Sequence, residues 1–129
     1  MPSILLVHQN PDELFVYGQL LQAVIDASES VGRVYQVQGT NAALRIFSQH
    51  HRYISLAVIS SELEDDVACF DLLERLRRIR ADLKTILLTP REELRTRARE
   101  AKFDEFYLIT HSQQWLSHRA ATLMGGTDF

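Results

Sequence analysis

Five short apolar runs divide the chain, and a segment with helical periodicity follows each of them. The runs cover residues 4–7, 31–37, 54–59, 85–88 and 106–109. The first and third are almost wholly apolar, which is typical of strands buried on both faces of a parallel sheet. Strands that alternate with helices in this way predict an α/β domain, with helices on both faces of a parallel sheet.

Capping signals mark where several of these helices begin. Asn10 opens a capping box for a helix predicted over residues 11–27. Thr89 begins a similar pattern and is predicted to cap the fourth helix, which would fix the loop that follows the fourth strand. A last helix is expected over residues 112–124, and residues 125–129 are expected to form a frayed tail.

Length and composition narrow the class of protein. The chain has 129 residues, which is the size of one ordinary domain, so we expect a single domain over residues 1–129. No apolar run approaches the roughly 20 residues that cross a bilayer, and no secretory signal is present. Cys69 is the only cysteine and excludes an internal disulfide, so a cytoplasmic location without membrane contact is expected.

The basic residues are concentrated in one part of the chain. Ten of the fourteen Lys and Arg residues lie between Arg75 and Lys102. The simpler interpretation is that these residues lie on solvated helix faces. The more specific alternative is a docking surface for an acidic partner. Nucleic acid is not expected as a partner, because Glu92, Glu93 and Glu100 are interspersed there and the net charge is −3.

The order and spacing of the segments resemble the receiver domains of response regulators, the CheY-like family. The segments that carry the resemblance are residues 4–12, 56–60, 72–80, 85–89 and 103–108. The resemblance covers nearly the whole chain and implies a doubly wound sheet with strand order 2-1-3-4-5, whose chemistry lies at the carboxyl ends of the strands. Output domains often follow receivers, so the resemblance leaves open whether this is the N-terminal part of a longer regulator.

In that family, two acidic residues hold Mg²⁺ and an aspartate accepts a phosphoryl group. A lysine pairs with the phosphoryl oxygens, and a Ser or Thr forms a hydrogen bond with the phosphoryl group and moves with it. The corresponding positions here carry His8 and Gln9, Ser60, Ile109 (or Thr110 in a register shifted by one), and Thr89. Only Thr89 agrees with the family pattern. Because Mg²⁺ prefers carboxylate oxygens and an unassisted serine is a poor nucleophile, the resemblance implies a pseudo-receiver with no enzymatic activity, metal or cofactor.

Each of these residues has a second interpretation. His8 could sense pH or ligate a metal, but a hydrogen bond to neighbouring backbone is favoured. Ser60 could be a phosphate acceptor or a nucleophile, but no oxyanion-hole motif is visible and a strand-end turn is favoured. Thr89 could be a switch hydroxyl, but the helix cap is favoured. The nearby acidic residues are interpreted as a solvated loop: Glu62, Glu64, Asp65 and Asp66.

Two binding hypotheses remain. The first is a protein partner, or a second copy of the chain, on a surface formed by the fourth helix, fifth strand and fifth helix. Its predicted residues are a basic stripe of Arg91, Arg95, Arg99 and Lys102 together with the aromatic residues Phe106 and Tyr107. The alternative is a small ligand, an anion or a metabolite, bound at the strand ends by His8, Gln9, Ser60 and Thr89.

Overall fold

A computed structural model describes residues 2–28 and 31–125 and has the predicted three-layer α/β architecture. Strands and helices alternate along the chain. Their bounds are β1 (Ser3–His8), α1 (Pro11–Ala27), β2 (Val34–Gln38), α2 (Thr40–His50), β3 (Ile54–Ser60), α3 (Ala68–Ile79), β4 (Lys84–Thr89), α4 (Arg95–Glu100), β5 (Glu105–Leu108) and α5 (Gln113–Leu123).

The sheet has the strand order β2-β1-β3-β4-β5, and all four pairings are parallel. This confirms the predicted order 2-1-3-4-5. The order reverses between β1 and β3, so α1 and α5 cover one face while α2, α3 and α4 cover the other. Every residue of β1 is buried, as expected for a strand in the middle of a doubly wound sheet.

Alternate residues of the central strands fill two separate cores. Leu5, Ala57 and Leu87 face α2, α3 and α4, where Phe47 is the largest fully buried side chain. The residues beside them in each strand belong to the core under α1 and α5; those are Ile4, Leu6, Leu56, Val58, Ile86 and Leu88. The apolar runs of the sequence are therefore continuous because both faces of the sheet are covered.

Capping of α1 agrees with the prediction. The side chain of Asn10 accepts hydrogen bonds from the backbone N–H groups of Asp12 and Glu13, at 2.8 and 3.2 Å. The helix ends at Ala27, as the periodicity predicted. A side-chain cap at this helix start therefore holds the entry of α1 beside the carboxyl end of β1.

The cap of α2 comes from another loop. The Glu64 carboxylate accepts from the Thr40 backbone N–H at 2.8 Å and from the Thr40 hydroxyl at 2.7 Å. Gly39 precedes the helix with φ +92°, and a Cβ there would meet Glu64 Oε2 at 3.0 Å. Burial opposes ionisation of Glu64, but the hydrogen bonds from Thr40 hold its pKa below the usual value.

The predicted start of the fourth helix is wrong. Thr89 is the last residue of β4, where it pairs with Leu108, and its carbonyl accepts from the Ile109 N–H at 3.0 Å. Its hydroxyl accepts from the Arg91 N–H at 3.0 Å, which makes a turn in place of a helix cap. A 3₁₀ turn then precedes α4, so pairing with β5 overrides the local capping pattern.

Two further differences concern element ends. The second strand begins at Val34, three residues later than the predicted Val31. Of the expected tail, Gly125 alone lies within the described residues. Within residues 2–28 and 31–125, no helix is long and apolar enough to cross a membrane.

The turn after α4 forces Lys102 into the left-handed region, with φ +74°. Phe103 N–H donates to the Ala98 carbonyl at 3.0 Å and Lys102 N–H donates to the Arg99 carbonyl at 3.1 Å. This pair of hydrogen bonds is a Schellman motif, in which glycine normally occupies the position of Lys102. A lysine there pays a steric penalty that glycine avoids.

We therefore expect Lys102→Gly to raise the free energy of unfolding by about 0.5–1 kcal/mol. Urea unfolding measures the effect. Lys102→Ala is the matched control, because it removes the same side-chain contacts and keeps the Cβ. If glycine stabilises the domain no more than alanine does, the backbone at this position is not strained.

Candidate functional site

The carboxyl ends of β1, β3, β4 and β5 meet at one edge of the sheet, beside the point where the strand order reverses. Ligands of open α/β sheets bind in the crevice at such a point. A cavity of about 740 Å³ opens there. It is lined by His8, Gln9, Asn10, Pro11, Asp12, Glu13, Tyr17, Ser60, Glu62, Leu63, Leu88, Pro90 and Ile109. Four of the predicted strand-end residues thus line one cavity, namely His8, Gln9, Ser60 and Ile109, while Thr89 does not. Among the described residues, no lysine or arginine lines it.

His8 ends β1 and is 8% exposed. Its Nδ1 accepts hydrogen bonds from the backbone N–H groups of Gln9, at 2.9 Å, and Asn10, at 3.1 Å. Burial lowers the pKa of His8, although the carboxylates of Glu13 and Glu62 favour the protonated form. The imidazole is therefore neutral near pH 7 and carries its proton on Nε2, and the favoured prediction of a backbone-bonded histidine is confirmed.

A chain of hydroxyl groups joins the ends of β3 and β4. Ser61 Oγ lies 2.7 Å from both Glu62 Oε2 and Thr89 Oγ1. Since the carboxylate can only accept, Ser61 donates to Glu62, and the Thr89 hydroxyl donates to Ser61. Thr89 is fully buried, so its hydroxyl is engaged by protein groups on both sides. The contact between Ser61 and Thr89 was not predicted from the sequence.

Arg91 faces this edge of the sheet. Its Nε lies 3.3 Å from Glu62 Oε2, and its Nη1 lies 3.6 Å from Asp66 Oδ1. Arg91 is thus oriented by the acidic loop after β3, and it precedes α4 by four residues. Its predicted place on a basic stripe along the fourth helix is wrong, because the helix begins later than the capping pattern indicated.

The remaining predicted positions have simpler surroundings. The Ser60 hydroxyl accepts from the Glu62 N–H at 2.9 Å, which is the favoured strand-end turn. Gln9 is exposed, and its carbonyl accepts from the Gln38 side chain at 2.7 Å. Ile109 follows β5 with 40% of its surface exposed, and it gives the cavity an apolar rim where the resemblance implied a lysine.

Five backbone donors at this edge are already engaged. The N–H groups of Gln9 and Asn10 bind His8, those of Asp12 and Glu13 bind Asn10, and that of Glu62 binds Ser60. An anion would therefore find carboxylates and occupied donors in place of a cradle of free N–H groups. Within the described part of the chain, no group of three or more His, Cys, Asp or Glu residues could hold a metal ion.

The sequence matches no family model and no curated protein. Solved structures, in contrast, are similar over almost the whole chain. A response regulator receiver domain protein from Clostridium thermocellum has a TM-score of 0.82 at 18% identity, with 97% of this chain and 95% of that chain covered. The response regulator TrrA from Thermotoga maritima, in complex with Mg(2+)-BeF, has a TM-score of 0.76 at 19% identity, with 95% and 99% covered.

A LuxR family DNA-binding response regulator from Silicibacter pomeroyi has a TM-score of 0.75 at 22% identity, with 98% of this chain and 93% of that chain covered. At these identities the likeness concerns the fold. The chain has the fold of a response regulator receiver domain. Within this receiver fold, Ser60, Thr89 and Ile109 lie at the ends of β3, β4 and β5, where the resemblance placed the phosphoryl chemistry.

The predicted partner surface is only partly assembled. Arg95 lies over the ring of Phe106, 4.5 Å from its centroid, and also pairs with Glu92 at 2.5 Å. Arg99 and Lys102 are exposed on and just beyond α4, which has six residues. Placing Tyr107 on this surface is wrong, because its side chain points into the core on the other face of the sheet and is fully buried.

Proposed function

We propose that this receiver fold is a non-enzymatic signalling module that acts by binding a protein, without phosphoryl transfer. One observation carries the proposal: the strand-end cavity is lined by carboxylates and a neutral histidine, with no lysine or arginine among its lining residues. A phosphoryl group brings negative charge that needs a metal ion or a cation beside it.

The contacts of the Thr89 hydroxyl also support this proposal. A switch hydroxyl must be free to change partners when a phosphoryl group arrives. Thr89 is instead held between Ser61 and the Arg91 N–H. Since buried hydrogen bonds are costly to leave unmade, this arrangement favours one orientation of Thr89. The output of the domain would then depend on the concentration of its partner.

Partner binding is assigned to the surface of α4, β5 and α5. The Arg95–Phe106 stack combines a guanidinium with an aromatic ring, and both residue types are enriched in interface hot spots. Arg99 and Lys102 extend the surface with positive charge. Electrostatic complementarity would then favour a partner with an acidic face.

Beryllofluoride with Mg²⁺ mimics an acyl phosphate and tests the absence of phosphoryl chemistry. We expect the amide NMR spectrum to stay unchanged when both are added. The matched control is the variant His8→Asp, Gln9→Asp, Ser60→Asp, Ile109→Lys, which restores the residue types of the family pattern and should show shifts around position 60 and Thr89. Shifts centred on Ser60 and Thr89 in the unmodified chain would contradict the proposal.

A further inference from the structure

The walls of the strand-end cavity differ in chemical character. Asp12 and Glu13 lie on the first turn of α1, where Asp12 is exposed and Glu13 is half-buried, and neither forms an ion pair with a described residue. Glu62 adds a third carboxylate, which Arg91 partly neutralises. The apolar part of the wall consists of Pro11, Leu63, Leu88, Pro90 and Ile109, and neutral polar groups come from Gln9, Asn10, Tyr17 and Ser60. A cavity of about 740 Å³ lies within the range of roughly 300–1,000 Å³ that small-molecule sites occupy.

His8 is the second, independent feature of this cavity. More than nine-tenths of the residue is buried, and it lines the cavity. Two backbone N–H groups occupy its Nδ1, which leaves the proton on Nε2. Nε2 makes no hydrogen bond with a described residue, and it is not one of the fully buried atoms that lack a partner, so it is open to solvent. A buried ring held in one tautomer, with its donor unpartnered at a cavity, is suited to bind an acceptor on a ligand.

The charged groups of the site determine which charge a ligand can carry. An anion is disfavoured by the carboxylates and by the occupied backbone donors, so the predicted binding of a small anion is not supported. An inorganic cation lacks enough ligating groups. A cation that is itself organic needs only one or two carboxylates, and its carbon chain can bury surface against the apolar walls.

We propose that this cavity binds a small organic cation: a protonated amine on an apolar chain that also carries a neutral hydrogen-bond acceptor. The ammonium group pairs with Asp12 and Glu13, and the acceptor takes the hydrogen bond from His8 Nε2. The apolar chain lies against Leu63 and Ile109. This site goes beyond the proposed protein-binding function and does not depend on it.

L-Leucinamide is the probe, because it combines an ammonium group, a branched alkyl chain and an amide carbonyl. Titration at slightly acidic pH, followed by ¹H–¹⁵N NMR, should give saturable shifts at Gln9, Asn10 and the His8 ring. Two matched probes each lack one group: 4-methylpentanamide has no ammonium, and 3-methylbutylamine has no carbonyl. Both should bind at least about tenfold more weakly than leucinamide, which corresponds to about 1.4 kcal/mol.

The double variant Asp12→Asn, Glu13→Gln should weaken leucinamide binding by at least about tenfold. Its control, Glu93→Gln with Glu100→Gln, makes the same change of net charge on exposed residues outside the cavity lining and should leave binding unchanged. Thermal unfolding verifies that both variants are folded. Absence of saturable shifts, equal binding of the neutral amide, or equal weakening by the control would overturn the proposal. The beryllofluoride experiment tests the absence of phosphoryl transfer separately, so its outcome does not depend on any of these results.

Discussion

Replacing Tyr107 with alanine is expected to lower the free energy of unfolding by about 3–5 kcal/mol. Tyr107 is one of the largest fully buried side chains and packs in the core under α1 and α5. Its ring stacks on Trp115 with 5.8 Å between centroids, and its hydroxyl donates to the His111 carbonyl at 2.9 Å. Alanine would leave a cavity between the sheet and two helices and would remove both contacts.

Tyr107→Phe is the matched control, because it keeps the ring and loses the hydrogen bond, at an expected cost of about 1 kcal/mol. Urea unfolding can be followed by fluorescence, since Trp115 is the only tryptophan in the sequence and stacks on the substituted ring. The sequence had placed Tyr107 on a partner surface. That role predicts a stability change of only a few tenths of a kcal/mol, so a small effect of Tyr107→Ala would revive it.

Asp104→Ala is expected to lower the free energy of unfolding by about 2–3 kcal/mol. Asp104 immediately precedes β5, so it lies at the edge of the sheet opposite to the cavity. The carboxylate of Asp104 accepts from the Thr85 N–H at 2.8 Å and from Arg77 at 3.0 Å. Arg77 also donates to the carbonyl of Lys102 at 2.5 Å, so the group joins α3, β4 and the turn before β5. Removing the carboxylate leaves a half-buried guanidinium and a strand N–H without this acceptor.

Two variants separate this network from an ordinary surface ion pair. Asp104→Asn keeps an oxygen for Thr85 and should cost clearly less than the alanine variant. Asp82→Ala removes the partner of Arg80 at a site where Asp82 is 78% exposed, so stability should hardly change. Urea unfolding of the three variants gives the comparison. If Asp104→Ala and Asp82→Ala behaved alike, the network around Arg77 would not stabilise the fold.

Most of the fold could be predicted from local sequence. The run of residues 4–7 is apolar at every position, and only a strand covered on both faces can bury such a run. Asn10 and the periodicity behind it placed α1 at its observed bounds. The start of the fourth helix could not be predicted in this way, because Thr89 has a capping pattern in its local sequence but a strand partner, Leu108, in the fold.

The residues of the candidate site could be predicted, because they lie at the ends of the predicted strands. His8, Ser60 and Ile109 each follow or end an apolar run, and parallel strands bring such ends to one edge. The contacts among them did not follow. Arg91 is separated by 29 positions from Glu62, and nothing in the sequence between them indicates an ion pair at 3.3 Å.

The sequence by itself determined the α/β class, the strand order through its resemblance, and the residue types that stand at the strand ends. Those properties depend on residue types and on their order along the chain. Only the tertiary structure decided that the site is acidic, that Thr89 is held by Ser61, and that Tyr107 is buried. Those properties depend on which side chains meet across strands, and distant residues come together only when the sheet has formed.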